Sequence, residues 1–110
     1  MKYVILMATT KDEKEAAKIA KSLLDKKLAA CCNIIPGMKS MFWWEGKQEE
    51  IRESLLMAKT SKELAARAAA EIKSLHSYKM PALEFLEIVG GSTDNLNWIK
   101  KETDIGLGRL

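Results

Sequence analysis

The sequence predicts an α+β fold in which one antiparallel sheet is covered on one face by helices. Apolar runs bounded by turn residues alternate with stretches of helical spacing, in the order strand–helix–strand, strand–helix–strand, with a helix at the end. The second and third strands are joined by Glu45-Gly46-Lys47, a turn too short to contain a helix. The length of 110 residues fits a single domain, residues 1–110.

The first strand–helix unit opens with a continuous apolar run, Tyr3–Ala8, which is typical of a central strand. Thr10 and Glu13 have the spacing of a capping box, in which the hydroxyl accepts a backbone N–H and the carboxylate reaches back. The pattern predicts a helix that ends near Lys27. Its apolar stripe consists of Ala16, Ile19, Ala20, Leu23 and Leu24.

A long hairpin follows. Leu28–Ile35 is predicted as the second strand, and Pro36-Gly37 predicts a bulge or bend in it. Met38–Trp44 continues the extended chain to the turn, where Gly46 supplies a positive φ. The return strand is predicted over Gln48–Lys59. These two strands are longer than the first and last.

The second unit repeats the first. Thr60 and Glu63 again have capping-box spacing, and the exit loop after the helix is His76–Pro81. Leu83–Val89 is predicted as the fourth strand. The helix between them has the apolar stripe Leu64, Ala68, Ile72 and Leu75.

The last helix is predicted to begin at a cap formed by Ser92 or Thr93, and the tail 105–110 is predicted to be irregular. Two split βαβ units joined in this way make a ferredoxin-like βαββαβ sandwich with its helices on one face. A doubly wound parallel sheet is excluded, because the turn after Trp44 has no room for a crossover helix.

Composition excludes several classes of protein. Hydrophobic residues make up 47% and charged residues 30%, which excludes a disordered chain, and the two cysteines are too few for a disulfide scaffold. A net charge of +3 predicts neither nucleic-acid nor membrane binding. No apolar run approaches the roughly 20 residues of a membrane span, and the N-terminal run lacks the features of a signal peptide. A cytoplasmic protein with reduced thiols is expected.

The end of the hairpin carries Met41, Phe42, Trp43 and Trp44. Each large aromatic side chain buries up to about 150–250 Å², so this much apolar area predicts self-association. Adjacent strand residues point to opposite faces. We therefore expect one tryptophan ring in the core of the sheet and the other against a neighbouring subunit or lining a cleft.

The residues that suggest metal or thiol chemistry are few. Cys31 and Cys32 are adjacent on a predicted strand, so their sulfurs should diverge, with one thiol packed in the core. His76 is the one histidine and offers at most two nitrogens, whereas a closed zinc site needs four ligands. Other functions of this fold are not matched: the first strand is followed neither by the cysteine pair of a copper chaperone nor by an arginine-bearing anion loop, and the return strand lacks RNA-stacking aromatics.

The run from Leu28 to Lys47, with its Ala-Ala-Cys-Cys-Asn and Trp-Trp-Glu-Gly-Lys segments, resembles the signature of the CutA family, the divalent-cation tolerance proteins. Leu96-Asn-Trp98-Ile99 matches the end of that family's pattern. The resemblance implies a ferredoxin-like fold in a homotrimer similar in layout to PII proteins. It also implies a non-enzymatic role in tolerance of divalent metals such as copper, with no cofactor required.

The resemblance carries over a single metal ligand, His76, because the family's cysteine at the end of the first strand is replaced by Ala8. The family's His-Pro-Tyr-Glu-x-Pro-Glu stretch is His76-Ser-Tyr-Lys-Met-Pro-Ala here, so both carboxylates are lost and Lys79 is gained. An alternative function is therefore a PII-like trimer that binds a small anionic ligand between subunits. The residues predicted to line that cleft are Trp44, Glu45, Lys47, Tyr78 and Lys79.

Overall fold

The computed structural model describes residues 2–104 as a four-stranded antiparallel sheet with three helices. The strands are β1 (Tyr3–Thr10), β2 (Cys31–Trp44), β3 (Lys47–Ser61) and β4 (Leu83–Ile88). The helices are α1 (Glu13–Asp25), α2 (Ala65–Leu75) and α3 (Thr93–Glu102), and a short 3₁₀ turn, Lys62–Leu64, leads into α2. The predicted tail 105–110 lies outside the described residues.

The strand order is β2-β3-β1-β4, and every neighbouring pair is antiparallel. This is the predicted ferredoxin-like topology, with β1 in the interior of the sheet. The predicted bulge is confirmed, because the register between β2 and β3 shifts between Ile35 and Met38. Gly37 there has a φ of 68°, and Gly46 in the hairpin turn has a φ of 80°, conformations that favour glycine.

The core lies between the sheet and the helices α1 and α2. Alternate residues of β1 and β3 face the helices and are almost fully buried, as expected for period-two strands. The fully buried side chains of this face and of the helices include Leu6, Ile19, Leu23, Leu56 and Ile72. The opposite side of the sheet, here called the open face, presents half-buried or exposed side chains of Ile5, Met7, Ile35, Leu55, Met57 and Leu86.

Both predicted capping boxes are wrong. Thr10 is the last residue of β1, and Asp12 caps α1 by accepting the N–H of Glu15 at 2.8 Å. Thr60 belongs to β3, and Ser61, which precedes the 3₁₀ turn, makes no side-chain capping bond. Each threonine continues a paired strand, and strand pairing outweighs the local motif. The cap predicted at Ser92 is confirmed, since its hydroxyl accepts the N–H of Asn95.

Several boundaries also differ from prediction. Helix α1 ends at Asp25 rather than Lys27, because Lys27 adopts a positive φ of 55° and turns the chain. Strand β2 then begins at Cys31 rather than Leu28, and β3 extends from Lys47 to Ser61. Leu28 and Ala29 are nevertheless buried in the core. The apolar residues that predicted a strand there therefore pack in the core without belonging to a strand.

Strand β1 pairs with β3 as far as Thr10 and Ser54, whereas β2 and β3 stay paired to Trp44 and Lys47. Residues 36–53 therefore form a two-stranded extension, here called the ribbon, and no third strand from residues 2–104 lies beside it. The molecule measures 48 × 26 × 22 Å, and its radius of gyration is 14.7 Å. A compact domain of about 100 residues has a radius of gyration near 13 Å.

Candidate functional site

A polar cluster lies at the end of the sheet where β1 meets α1 and where the loop after α2 returns toward β4. It is built from Glu15 on α1, Glu53 on β3, and His76, Ser77 and Tyr78 in the exit loop. The amphipathic pattern of α2 fixes this position, because burying Ile72 against the sheet brings the C-terminal end of α2 next to Thr9. The predicted metal ligand, His76, thus lies within a network that connects four elements.

His76 caps the C-terminal end of α2, and both of its ring nitrogens are occupied. Nε2 lies 2.7 Å from the carbonyl oxygen of Thr9, and Nδ1 accepts the N–H of Tyr78 at 3.1 Å. A nitrogen that accepts a backbone N–H carries a lone pair, so the proton of the neutral ring is assigned to Nε2, which donates to Thr9. A metal ion can bind this imidazole only by displacing one of these bonds.

Glu15 joins the first turn of α1 to the exit loop. Its carboxylate oxygens accept the N–H groups of Lys11 at 3.0 Å and Ser77 at 2.8 Å, and the residue is 7% exposed. Burial raises the pKa of this carboxyl, but the hydrogen bonds from Lys11 and Ser77 outweigh it and hold the pKa below its ordinary value. Glu15 is therefore a buried carboxylate that holds two loops together.

Tyr78 reaches across the end of β1 to β3. Its hydroxyl donates to Oε2 of Glu53 at 2.8 Å, and Glu53 is 6% exposed. Burial, followed by the hydrogen bond and negative charge of Glu53, raises the pKa of Tyr78 to about 12. Tyr78 also packs against His76, with the ring centroids 4.9 Å apart. The phenol is thus held neutral and fixed in place.

The two cysteines diverge as predicted. Cys32 lies opposite Ala58 on the helix side of the sheet, and Cys31 lies opposite Lys59 on the open face. Burial, with a smaller effect from Cys31, raises the pKa of the Cys32 thiol to about 12. The pair therefore offers no shared thiolate site.

The residues predicted to line a cleft fall into two groups within one chain. Trp44, Glu45 and Lys47 lie at the tip of the ribbon, whereas Tyr78 and Lys79 lie in the exit loop. Tyr78 contacts β3 at Glu53, six residues from Lys47, which corresponds to about 20 Å of extended strand. A single chain does not bring the two groups together, and whether neighbouring subunits do so remains a prediction.

The prediction that one tryptophan ring lies in the sheet core is wrong. Trp43 is 70% exposed and Trp44 is 47% exposed, on opposite sides of the ribbon. The core ends where β1 ends, and none of the described helices α1, α2 and α3 contributes to a core over the ribbon. Trp44 shares its side with Phe42 and Ile51, and this side continues the open face of the sheet.

Three residues of the polar cluster, Glu15, Glu53 and Ser77, were not predicted as site residues, and Ser77 contributes its backbone N–H. Glu15 had a signal, since Asp12 and Glu15 have the same three-residue spacing as the proposed box at Thr10 and Glu13. Glu53 had none, because its partner is 25 residues away in a different element.

Within residues 2–104, no group of three or more His, Cys, Asp or Glu side chains is arranged to hold a metal ion. No helix in that range is long and apolar enough to cross a membrane. The arrangement at the cluster consists of internally satisfied polar groups, with Lys79 exposed beside them.

The profile of the family described as CutA1 divalent ion tolerance protein matches residues 4–102. The chain belongs to the CutA1 family. A CutA from Archaeoglobus fulgidus, named a divalent-cation tolerance protein, is 46% identical over 90 residues, which cover 82% of this chain and 87% of that protein. The chloroplastic Protein CutA 1 of rice is 41% identical over 100 residues, 90% of this chain. The match spans 56% of the rice protein, so the chain covers about half of that relative's length.

The solved structure of the Archaeoglobus fulgidus CutA, described as periplasmic, superposes with a TM-score of 0.90 at 41% identity. The match covers 93% of this chain and 99% of that one. The CutA1 fold thus extends over nearly all of the described residues, including the ribbon. The family assignment made from the Leu28–Lys47 signature is confirmed.

Proposed function

We propose that this CutA-family chain is a non-enzymatic homotrimer that acts in tolerance of divalent cations, copper among them, in the cytoplasm. The match to the divalent ion tolerance family over residues 4–102 carries this proposal. The free thiols of Cys31 and Cys32 fit a reducing compartment. Relatives named for the chloroplast and the periplasm make location worth testing separately, by fractionating the cells that produce the chain.

The ribbon supports the trimer. Met41 and Trp43 are each 70% exposed and Trp44 is 47% exposed, and the apolar open face continues along the side of Trp44. Monomeric soluble proteins rarely leave such a continuous apolar surface in water. Neighbouring subunits that cover the ribbon and the open face would remove the unfavourable exposure of these apolar side chains to water. Sedimentation equilibrium should give a mass three times that of the chain, and a 12.3 kDa species at micromolar concentration would contradict the trimer.

His76 is the proposed metal ligand, and its environment predicts weak binding. Copper would have to replace either the bond to Thr9 or the bond from Tyr78, and a single imidazole supplies one ligand. Additional ligands would have to come from other copies of the chain. Calorimetric titration with Cu(II) and Zn(II) should show binding that is lost in His76→Gln and retained in Glu84→Gln, a variant of an exposed carboxylate. Equal binding by His76→Gln would remove this residue from the metal role.

A second candidate function is a PII-like trimer that binds a small anionic ligand in the clefts between subunits. Lys79 favours it, since this exposed ammonium group stands where the family pattern has a carboxylate. The remaining predicted cleft residues are Trp44, Glu45, Lys47 and Tyr78. A thermal-shift screen of nucleotides and carboxylate metabolites should raise the melting temperature for at least one anion. A screen without any shift would exclude this function for the compounds tested.

A further inference from the structure

A groove of about 420 Å³ lies between α2 and β4, on the helix side of the sheet. Ala69 and Lys73 line it from α2, Leu83 and Phe85 line it from β4, and the exit loop closes one end. Phe85 lies opposite Leu6 in the β1–β4 register, and Leu6 faces the core, so Phe85 is on the side away from the open face. The groove is therefore formed by one chain and lies on the opposite side of the sheet from the open face.

The floor of the groove is apolar and unusually exposed. Phe85 is 51% exposed and Met80 is 72% exposed, and Pro81 and the half-buried Tyr78 complete this end. Ala69 contributes a side chain too small to fill the space between α2 and β4. The volume of the groove lies within the range of about 300–1,000 Å³ that is typical of small-molecule sites.

The charged groups of the groove are of one sign. Lys73 and Lys79 line it, and among residues 2–104 neither has an ion pair. The carboxylates of the neighbouring elements are directed elsewhere: Glu71 pairs with Lys26 at 2.8 Å and Glu87 with Lys62 at 3.2 Å. Glu84 lies opposite Met7, on the open face. Two ammonium groups beside an apolar floor complement a ligand that is anionic at one end and apolar at the other.

We propose that the groove between α2 and β4 binds a small aromatic carboxylate, whose ring lies on Phe85 and Met80 and whose carboxylate meets Lys73 and Lys79. This inference deepens the second candidate function by naming a ligand class, and it moves the binding site from a cleft between subunits to a groove within one chain. All the residues that line the groove belong to one chain.

The test is a titration of the ¹⁵N-labelled chain with 2-naphthoate, followed by amide chemical shifts. Saturable shifts are expected at Lys73, at residues 78–80 and 82–83, and at Phe85. Two matched compounds separate the contributions to binding. The neutral 2-naphthalenemethanol retains the ring and should bind several-fold more weakly, and inorganic phosphate retains negative charge without a ring and should not saturate.

Variants test the same assignment. Lys73→Met and Lys79→Met should each weaken naphthoate binding about two- to fivefold, as expected for exposed charge pairs, and the double variant should weaken it further. Phe85→Ala should also weaken binding, whereas Lys18→Met, on the exposed side of α1, should not. Shifts centred on the ribbon, equal binding of the neutral alcohol, or unchanged binding by the double lysine variant would overturn the proposal. None of these results bears on sedimentation or on metal titration, so failure here is distinguishable from failure of the proposed function.

Discussion

The same pair of strands, β2 and β3, runs through the helix-covered part of the sheet and through the ribbon. Side chains are buried in the first region and exposed in the second. Leu56 and Ala58 of β3, beside β1, are 0% exposed, whereas Ile51, farther along the same strand, is 38% exposed. Backbone hydrogen bonds continue through both regions. Pairing of two strands therefore determines the shape of the ribbon, but covering its side chains requires a third layer that residues 2–104 do not provide. The contrast separates what stabilises the fold from what favours assembly.

The largest effect is expected in the ribbon if the trimer covers it. Trp44→Ala should destabilise the assembly by about 3–5 kcal/mol per protomer if the ring becomes buried between subunits. The loss should appear in sedimentation as dissociation at higher protein concentration than for the unmodified chain. Trp43→Ala is the matched control, since its ring lies on the other side of the ribbon and should have the smaller effect. Equal, small effects of both variants would show that the ribbon is uncovered in solution.

In the helix-covered part, Leu6→Ala should cost about 2–5 kcal/mol, because Leu6 is 0% exposed and its removal leaves a cavity in the core. Urea unfolding measures this loss. Unlike the loss in Trp44→Ala, it should not depend on protein concentration. A concentration-dependent loss would mean that folding of the core and assembly are a single event.

The order of the elements was predictable because the spacing of apolar residues in each strand and helix matches the face of that element that is buried in the core. The caps at Thr10 and Thr60 were mispredicted for a physical reason: Thr10 pairs with Ser54 and Thr60 with Val4, so both threonines continue strands that the motif cannot detect. Divergence of Cys31 and Cys32 followed from strand geometry alone. The exposure of Trp43 and Trp44 did not, because the sequence does not show that the core ends before the ribbon.

The site was less predictable than the fold. His76 was correctly placed in the exit loop, but its bonds to Thr9 and from Tyr78 depend on how α2 crosses the sheet. Glu53 carries no local signal, since it is one of several glutamates on a polar strand. Contacts between elements that are distant in sequence depend on the topology of the fold. They can be predicted from sequence only where a motif with fixed spacing indicates them.

The polar cluster lies between the helix-covered part of the sheet and the ribbon. Glu15, on α1, is the buried carboxylate that connects this cluster to a helix. Glu15→Gln should cost about 1–3 kcal/mol near pH 7, because one N–H, of Lys11 or Ser77, loses its carboxylate acceptor. The folded pKa lies below the ordinary 4.5, so this stabilisation is present above pH 4.5 and is lost as the pH falls through the folded value.

Urea unfolding measures the difference in free energy of unfolding between Glu15→Gln and the unmodified chain. This difference should be smaller at pH 3 than at pH 7. Glu13→Gln, an exposed change in the same helical turn, controls for charge near the start of α1. A gap that stays constant with pH would mean that the carboxylate charge contributes nothing and that packing alone is affected.

The smallest effect concerns Tyr78, which joins the exit loop to β3 at the base of the ribbon. Its pKa of about 12 lies above the ordinary 10, so the protonated phenol stabilises the fold up to about pH 10, and this contribution is lost as the pH rises toward 12. In a Tyr3→Phe background, tyrosinate absorbance reports Tyr78 alone. Glu53→Gln removes the charge that Tyr78 faces and keeps an oxygen acceptor, so the midpoint should move toward 10.

The control for that titration is Glu84→Gln, an exposed carboxylate on the open face that should leave the midpoint unchanged. An equal midpoint with and without Glu53 would assign the raised pKa to burial and to the charges of Glu15 and Asp12. The base of the ribbon would then be held by packing rather than by the bond between Tyr78 and Glu53. A shift specific to Glu53→Gln would instead show that this bond fixes the exit loop where the uncovered ribbon begins, so that the polar cluster anchors the part of the molecule that its own core cannot cover.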